Sequence, residues 1–317
     1  MSWQNAPVLR KLTASQQGGN RGAQLWGVDI KGTLHTIYQR TPGGAWSDWM
    51  SSGWAEKNYP KQVYELAAAQ RYDGAVQLWV LDMKRQLWTT WQASPGGDWH
   101  PWQGPGWNNM PNNLKFKKIS ATQLAGGRGA QFWGITEEGV LVGCYQIVPS
   151  GAFSPWQNWP KTPEDSRWLE VSGCKQGNGA GALWGIDDKL QLWCTFQKAK
   201  DGDWGAWQGP NWNNAGKVRN IAAIELGGQK GGCIWIIRND YKLYQSTQSA
   251  PGGQEWWSWS PGDYLESMFG YEITACGQNN GLQEVWVVSL KQDLHSQCTI
   301  NPSTKDWEWY WTPPVDA

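Results

Sequence analysis

Two sets of side chains recur along this 317-residue chain at spacings that could do chemistry. The first is an aromatic pair: Trp46/Trp49, Trp99/Trp102, Phe153/Trp156, Trp204/Trp207, Trp256/Trp259 and Trp307/Tyr310. A glutamine precedes each of the first five pairs: Gln39, Gln92, Gln146, Gln197 and Gln248. An indole offers a flat apolar plate, and a primary amide offers two donors and an acceptor. A ligand with an apolar C–H face and a polar rim needs both, and a sugar ring is such a ligand. The second set stands a few residues before each Gln: His35, Trp88, Val142, Trp193, Tyr244 and His295. Variation of this kind is odd for pure core and suits a pocket lining. The candidate ligand-binding residues are therefore Trp46, Trp99, Trp204, Trp256, Trp307, Gln39, Gln92, Gln197, His35, Trp88, Trp193 and Tyr244. The competing reading is that these Trp rings pack one repeat on the next while the Gln amides satisfy neighbouring backbone. Three further rings, Trp54, Trp107 and Trp212, fall in linkers and would cover an edge or a pocket.

Catalysis finds little to work with. The three histidines, His35, His100 and His295, have no second ligand at metal spacing. Nucleophile-elbow, HExxH, phosphate-cradling and calcium-loop patterns are absent. The carboxylates Asp29, Asp82 and Asp187 occupy equivalent repeat positions and read as solvated turn residues. The reading is non-enzymatic and calls for no cofactor.

The elements that position these groups come from a repeat. Trp26, Trp79, Trp133, Trp184, Trp235 and Trp286 stand 51 to 54 residues apart. A period of this size marks a propeller or array. Each unit reads as four short strands. The first is small and apolar, as in TASQ at 13–16 and AAAQ at 67–70, and suits a crowded central axis. The second, AQLWGV and its equivalents, is apolar on both faces, as a strand between two neighbours must be. Polar tips such as DIKG and DMKR make a hairpin into the third strand, which ends in aromatic-Gln. A PGG turn then leads to the outer Trp-x-x-Trp, whose two rings should point to opposite faces of a regular strand.

The fold expected is an all-β, six-bladed propeller with four antiparallel strands per blade. One domain of six repeats covers approximately 12–62, 63–115, 116–167, 168–217, 218–269 and 270–317, with residues 1–11 helping ring closure. Trp3-Gln4 echoes Trp102-Gln103, so the N-terminus is expected beside the outer strand of the last blade.

Composition narrows the partners. There are 27 basic and 27 acidic residues, a formal net charge of zero. That argues against nucleic acid, whose binding rests on basic clusters, and against an anionic membrane surface. No apolar run is long enough to insert in a membrane. The six cysteines form no CxxC pair and sit in apolar strands, so they read as buried thiols in a reducing compartment. The start, MSWQNAPVLRKL, lacks an apolar leader core. The expectation is a cytoplasmic protein, or one released without a secretory leader, whose partners are glycans and which can form oligomers.

The stretch LWVLDMKRQLWTTWQASPGGDWHPW, at 78–102, resembles the repeat of the bacterial PLL-like propeller lectins, named for a fucose-binding lectin of Photorhabdus. The resemblance runs through all six repeats. It implies shallow sugar sites between adjacent blades, taking fucose or O-methylated sugars. This chain departs from the best-known members in having six repeats rather than seven. The tectonin propellers are a weaker comparison, because their repeats are shorter.

Overall fold

The computed structural model describes residues 6–51, 59–111, 114–124, 129–147, 151–158, 166–226, 231–250, 255–261, 269–278, 281–299 and 309–311. They form six antiparallel sheets of three or four strands, arranged as a six-bladed propeller. Six inner strands line the axis: β1 (Leu9–Gln16), β5 (Val63–Gln70), β8 (Phe116–Gln123), β12 (Trp168–Lys175), β15 (Val218–Glu225) and β19 (Gly270–Gly277). Each contacts the next around the ring, and β19 returns to β1. Each also pairs with a second strand: β2 (Ala23–Asp29), β6 (Val76–Asp82), β9 (Ala130–Thr136), β13 (Gly181–Asp187), β16 (Gly232–Arg238) and β20 (Gln283–Ser289). The third strands are β3 (Leu34–Tyr38), β7 (Leu87–Trp91), β10 (Leu141–Tyr145), β14 (Leu192–Phe196), β17 (Leu243–Thr247) and β21 (Leu294–Thr299).

The fourth, outermost strand is short. It is β4 (Met50–Ser51), β11 (Gln157–Asn158), β18 (Ser260–Pro261) and β22 (Trp309–Trp311) in blades 1, 3, 5 and 6. In blades 2 and 4 it shrinks to the bridges Thr89–Gln103 and Cys194–Gln208. The last blade draws β19 through β22 from its own repeat. The proposed position of Trp3-Gln4 lies outside the described residues.

Adjacent apolar residues on β2-type strands follow from this layout. Each blade is sandwiched, so Leu25 and Trp26 are both fully buried on opposite faces. The core is accordingly six clusters, one at every blade interface. Trp26 and Val28 meet Val76 and Leu78 between blades 1 and 2, and Leu9 and Leu25 meet Trp286 and Val288 where the ring closes. The five described cysteines are free and buried within these strands. Burial pushes the Cys233 thiol up to about 12.

Every inner strand carries a bulge between its first and third residues. A bulge re-aims the side chains around it. Here the third residues form a charged ring across one end of the channel: Lys11, Glu65, Lys118, Glu170, Asn220 and Glu272. Lys118 Nζ lies 2.8 Å from Glu170, 3.3 Å from Glu65 and 3.9 Å from Glu272. Lys11 reaches Glu272 at 3.0 Å and Glu65 at 3.5 Å. Burial disfavours the charge on Lys118, but Glu170, Glu65 and Glu272 outweigh it and hold its pKa well above the ordinary range. Beyond this ring the channel encloses about 210 Å³ among small side chains such as Ala67, Ala69 and Ser172.

Closure has its own polar contacts. Tyr271 donates to the Leu9 carbonyl at 2.8 Å, and the Gly43 amide donates to Gln278 Oε1 at 2.8 Å. Glu284 Oε2 accepts from Gln39 at 3.4 Å and Gln278 at 3.3 Å. The corresponding residues of the first three blades are Gln24, Gln77 and Gln131. Burial without a cation raises the Glu284 pKa to about 8.

Two expectations follow. Lys118→Met leaves three buried carboxylates facing one another with only Lys11 to balance them. It should lower the unfolding free energy by about 3–5 kcal/mol in denaturant titrations. Glu284 keeps its proton in the fold up to about pH 8, whereas the unfolded chain loses it near 4.5. Its contribution to stability is therefore complete below 4.5 and is lost as pH rises towards 8, at up to about 1.4 kcal/mol per pH unit. Glu284→Gln should flatten that decline in melting temperature measured against pH.

Candidate functional site

In each of the first five blades the outer segment returns to the end of the third strand, through a PGG turn in blades 1 and 2. Gln39 bridges to Trp46, Gln92 to Trp99, Gln146 to Phe153, Gln197 to Trp204 and Gln248 to Trp256. The glutamine is thereby drawn inside. Gln39 Oε1 accepts from the Ala23 amide at 3.0 Å, Gln92 from Val76 at 3.0 Å and Gln197 from Gly181 at 2.7 Å. Their Nε2 groups donate to Glu284 at 3.4 Å, Gln17 at 3.4 Å and the Gly202 carbonyl at 3.2 Å. All three are buried. Their donors and acceptors already serve the fold, so a sugar could reach them only by displacing these bonds.

The aromatic partners lie edge-on against the core Trp of the preceding blade. Trp46 meets Trp286 at 5.9 Å and 90°, Trp99 meets Trp26 at 6.1 Å and 85°, Trp204 meets Trp133 at 6.3 Å and 84°, and Trp256 meets Trp184 at 5.4 Å and 83°. Phe153 repeats the contact with Trp79 at 6.1 Å and 85°. Each ring keeps only part of its surface in solvent. Trp307 lies outside the described residues.

In the five described pairs the second aromatic does not point to the other side. Trp46 and Trp49 both pack in the interface between blades 6 and 1, and Trp204 and Trp207 both in that between blades 3 and 4. The reason is local backbone. Trp46 sits in an isolated bridge and β4 starts only at Met50, so the segment between them is not a regular strand and alternation fails.

The second ring occupies the other end of the third strand. His35 is separated from Gln39 by four residues, or about 13 Å of extended chain. The eleven described candidates thus fall into two layers rather than one pocket. In this layer each residue pairs with the last residue of the second strand, six positions earlier. Trp88 Nε1 donates to Asp82 Oδ2 at 3.1 Å and Trp193 Nε1 to Asp187 Oδ2 at 2.9 Å. His35 Nε2 lies 3.1 Å from Asp29 Oδ2. Arg238 lies over the Tyr244 ring, 3.8 Å from its centroid. The aspartates are therefore more than solvated tips. Asp187 is 3 % exposed, and its Oδ1 also accepts the Lys189 and Gln191 amides at 2.9 and 2.8 Å. Burial pushes the Asp29 pKa up, but hydrogen bonds from His35, Thr33 and Lys31 outweigh it and leave the pKa lowered.

Blades 2 and 4 alone share the linker pattern QGPxWNN, at 103–109 and 208–214. Its glycine lies on the second-layer ring. A Cβ on Gly104 would come within 3.2 Å of Trp88 Cδ2, and one on Gly209 within 2.6 Å of Trp193 Cε3. Only glycine fits that approach, and both have positive φ. Trp107 and Trp212 then seal the interface with the following blade. Trp107 contacts Phe153 at 4.8 Å and Trp212 contacts Trp256 at 5.2 Å. Asn108 and Asn213 tie these linkers down through bonds from Trp156 and Trp259 at 3.1 and 2.8 Å. Trp54 lies outside the described residues.

The result is a twice-repeated constellation. A half-buried Trp, its Nε1 held by a carboxylate, is backed by a glycine turn and sits at an interface between blades. The aspartate and glycine were the parts that inspection of single residues missed. The signal for the aspartate was in the sequence as paired change at positions six apart: Asp82/Trp88 and Asp187/Trp193 against Thr136/Val142 and Arg238/Tyr244.

Neither a protein-family model nor a curated relative matches this sequence. Solved structures do match in fold. The six-bladed fucose-recognising lectin of Aleuria aurantia has a TM-score of 0.66 at 14 % identity, covering 98 % of this chain and 99 % of that one. The BP39L lectin of Burkholderia pseudomallei has a TM-score of 0.61 at 16 % identity, covering 98 % and 85 %. The SapL1 lectin, solved with α-methyl fucoside, has a TM-score of 0.65 at 12 % identity, covering 98 % and 99 %. At these identities the likeness shows the propeller fold.

The two layers should separate under mutation. Trp46→Ala opens the closing interface against Trp286 and should lower stability by about 2–3 kcal/mol, somewhat less than for a fully buried ring. Trp88→Ala removes a half-buried ring at the margin of the cluster between blades 1 and 2 and should cost less than Trp46→Ala, about 1–2 kcal/mol in the same denaturant titration.

Proposed function

We propose that this protein is a non-catalytic, multivalent lectin that takes fucose-type or O-methylated glycans in aromatic pockets between blades. The observation that carries the reading is the repeated Trp–Asp–Gly constellation on blades 2 and 4, set in a fold shared with fucose-binding propeller lectins. A carboxylate on Nε1 fixes the indole without covering its face, so the plate is pre-organised for the C–H face of a sugar. Trp88 and Trp193 are the primary plates. His35 and Tyr244, at the same place in blades 1 and 5, offer polar variants of it. O-methyl groups add apolar surface where an aromatic plate can cover it, which suits the PLL-like resemblance. Each shallow site is weak alone, and several on one rigid ring give avidity for glycan-dense surfaces.

One observation favours a second reading for part of the set. Trp46, Trp99, Trp204 and Trp256 are committed to edge-to-face contacts between blades. If the second layer were equally committed, the chain would be a protein-interaction scaffold with structural Trp repeats. A glycan array with fucose, O-methylated sugars, galactose and N-acetylglucosamine as competitors separates the two. The expected result is a signal competed by one monosaccharide and lost in the Trp88→Ala/Trp193→Ala double variant, whose circular dichroism and cooperative melting show that it remains folded. A blank array at high protein concentration sinks the lectin reading.

A further inference from the structure

Zero net charge argues against an anionic surface only if charge is evenly spread, and here it is not. The register places all six tips between second and third strands at one end of the ring. Leu9 pairs with Asp29, Val63 with Asp82 and Gly270 with Ser289, so each tip stands beside the start of an inner strand. On blades 6, 1 and 2, which are neighbours through closure, the first tip residues are Leu290, Ile30 and Met83. They are 50, 64 and 53 % exposed. Each is followed by an exposed lysine: Lys291, Lys31 and Lys84. Phe269 and Val8, beside the blade 6 and blade 1 tips, add further exposed apolar surface at the same end. The arc's carboxylates are Asp29, Asp82 and Asp293. Asp29 and Asp82 each turn one oxygen to the tip amides and the other to His35 or Trp88, which leaves the exposed Asp293, two residues after Lys291, as the carboxylate set against three lysines. The matching positions on blades 3, 4 and 5 are Glu137, Asp188 and Asn239, with no apolar side chain among them.

We infer that the arc of Leu290–Lys291, Ile30–Lys31 and Met83–Lys84 docks this ring, tilted, onto an anionic lipid bilayer. Apolar side chains enter the headgroup boundary while adjacent lysines meet lipid phosphates and carboxylates. Tilting towards this arc lifts Glu137 and Asp188 away from the surface. Charge disfavours a second copy as the occupant. Arc against arc sets lysine on lysine, and the far half is of mixed charge, with Lys189, Lys217 and Arg219 exposed beside Glu137, Glu138, Asp188 and Asp240. The docking needs no sugar site, and it would hold the rim of the ring close to a glycan-bearing membrane.

The test uses the full chain and sugar-free vesicles. One set is phosphatidylcholine, and the other is phosphatidylcholine with phosphatidylserine at roughly two to one. Flotation should show binding to the anionic vesicles alone, weakening as salt shortens the screening length. Lys31→Gln/Lys84→Gln/Lys291→Gln should cut partitioning about a hundredfold, and Ile30→Ser/Met83→Ser/Leu290→Ser about tenfold or more. Glu137→Gln/Asp188→Asn, on the far side, should leave binding at least as strong. All are surface changes, and unaltered melting confirms the fold. The proposal is overturned if the wild type ignores anionic vesicles, or if the arc variants bind as it does. It is also overturned if sedimentation shows that the arc serves self-association instead. A blank glycan array would not touch it.

Discussion

The structure depends on one constraint: a blade has two apolar faces, and both must be buried against neighbours. The contact that satisfies this is the edge-to-face meeting of an outer aromatic with the core Trp of the blade before it. It is seen at five interfaces with interplanar angles between 83 and 90°. An edge-to-face pair sets distance and angle together, because the positive ring edge seeks the negative face. Repeating one such contact sets a constant rotation from blade to blade. The Trp46–Trp286 pair then makes the last interface geometrically like the others, and the ring closes without the described strands being exchanged between repeats.

The same constraint explains why polar groups are so unevenly placed. The interfaces are apolar, so polar side chains gather where inner strands meet on the axis or at the two ends of the ring. On the axis, six strands converge and Glu65, Lys118, Glu170 and Glu272 are largely withdrawn from water. Two lysines and three carboxylates answer one another there, across inner strands that belong to different sheets. A buried network of this kind gives little net stability over an apolar plug. What it does is demand a particular cyclic order of blades. Lys11 is flanked by Glu65 and Glu272, and Lys118 by Glu65 and Glu170, so cations and carboxylates alternate along that arc of the ring.

Much of this was legible beforehand. The 51–54-residue recurrence of Trp26 and its equivalents carried the blade count, because one side chain at one spacing reports one repeated environment. The double apolar face of AQLWGV carried the sandwiching. Other features were hidden for physical reasons. The bulges that send Lys11, Glu65 and Lys118 into the channel leave no mark on a sequence read by strict alternation. The direction of Trp49 and Trp207 was misjudged on the same rule, applied where the backbone is not a strand. The Gln residues looked like ready donors, yet the turn that follows each of them leaves them inside, accepting from backbone amides. Aspartates at hairpin tips looked generic until each was seen to hold a side chain six residues later.

Those aspartates show how a rigid repeat can still make different sites. The tip turn needs a side chain that accepts amide hydrogens, so Asp is favoured there for local reasons. Its second oxygen is then left over, aimed at the start of the third strand. What stands there decides the outcome. Indole at Trp88 and Trp193 is held by its Nε1, imidazole at His35 pairs with Asp29, and in blade 5 Arg238 replaces the acid and lies over Tyr244 instead. Thr136 and Val142 give neither charge nor plate. The scaffold contacts sit at the opposite end of the third strand, so this layer can change without disturbing the edge-to-face pairs that close the ring. Degeneracy among the repeats is therefore where separate binding character can arise. The two linkers that bring Gly104 and Gly209 onto their tryptophans place the two Trp–Asp–Gly constellations on alternate blades.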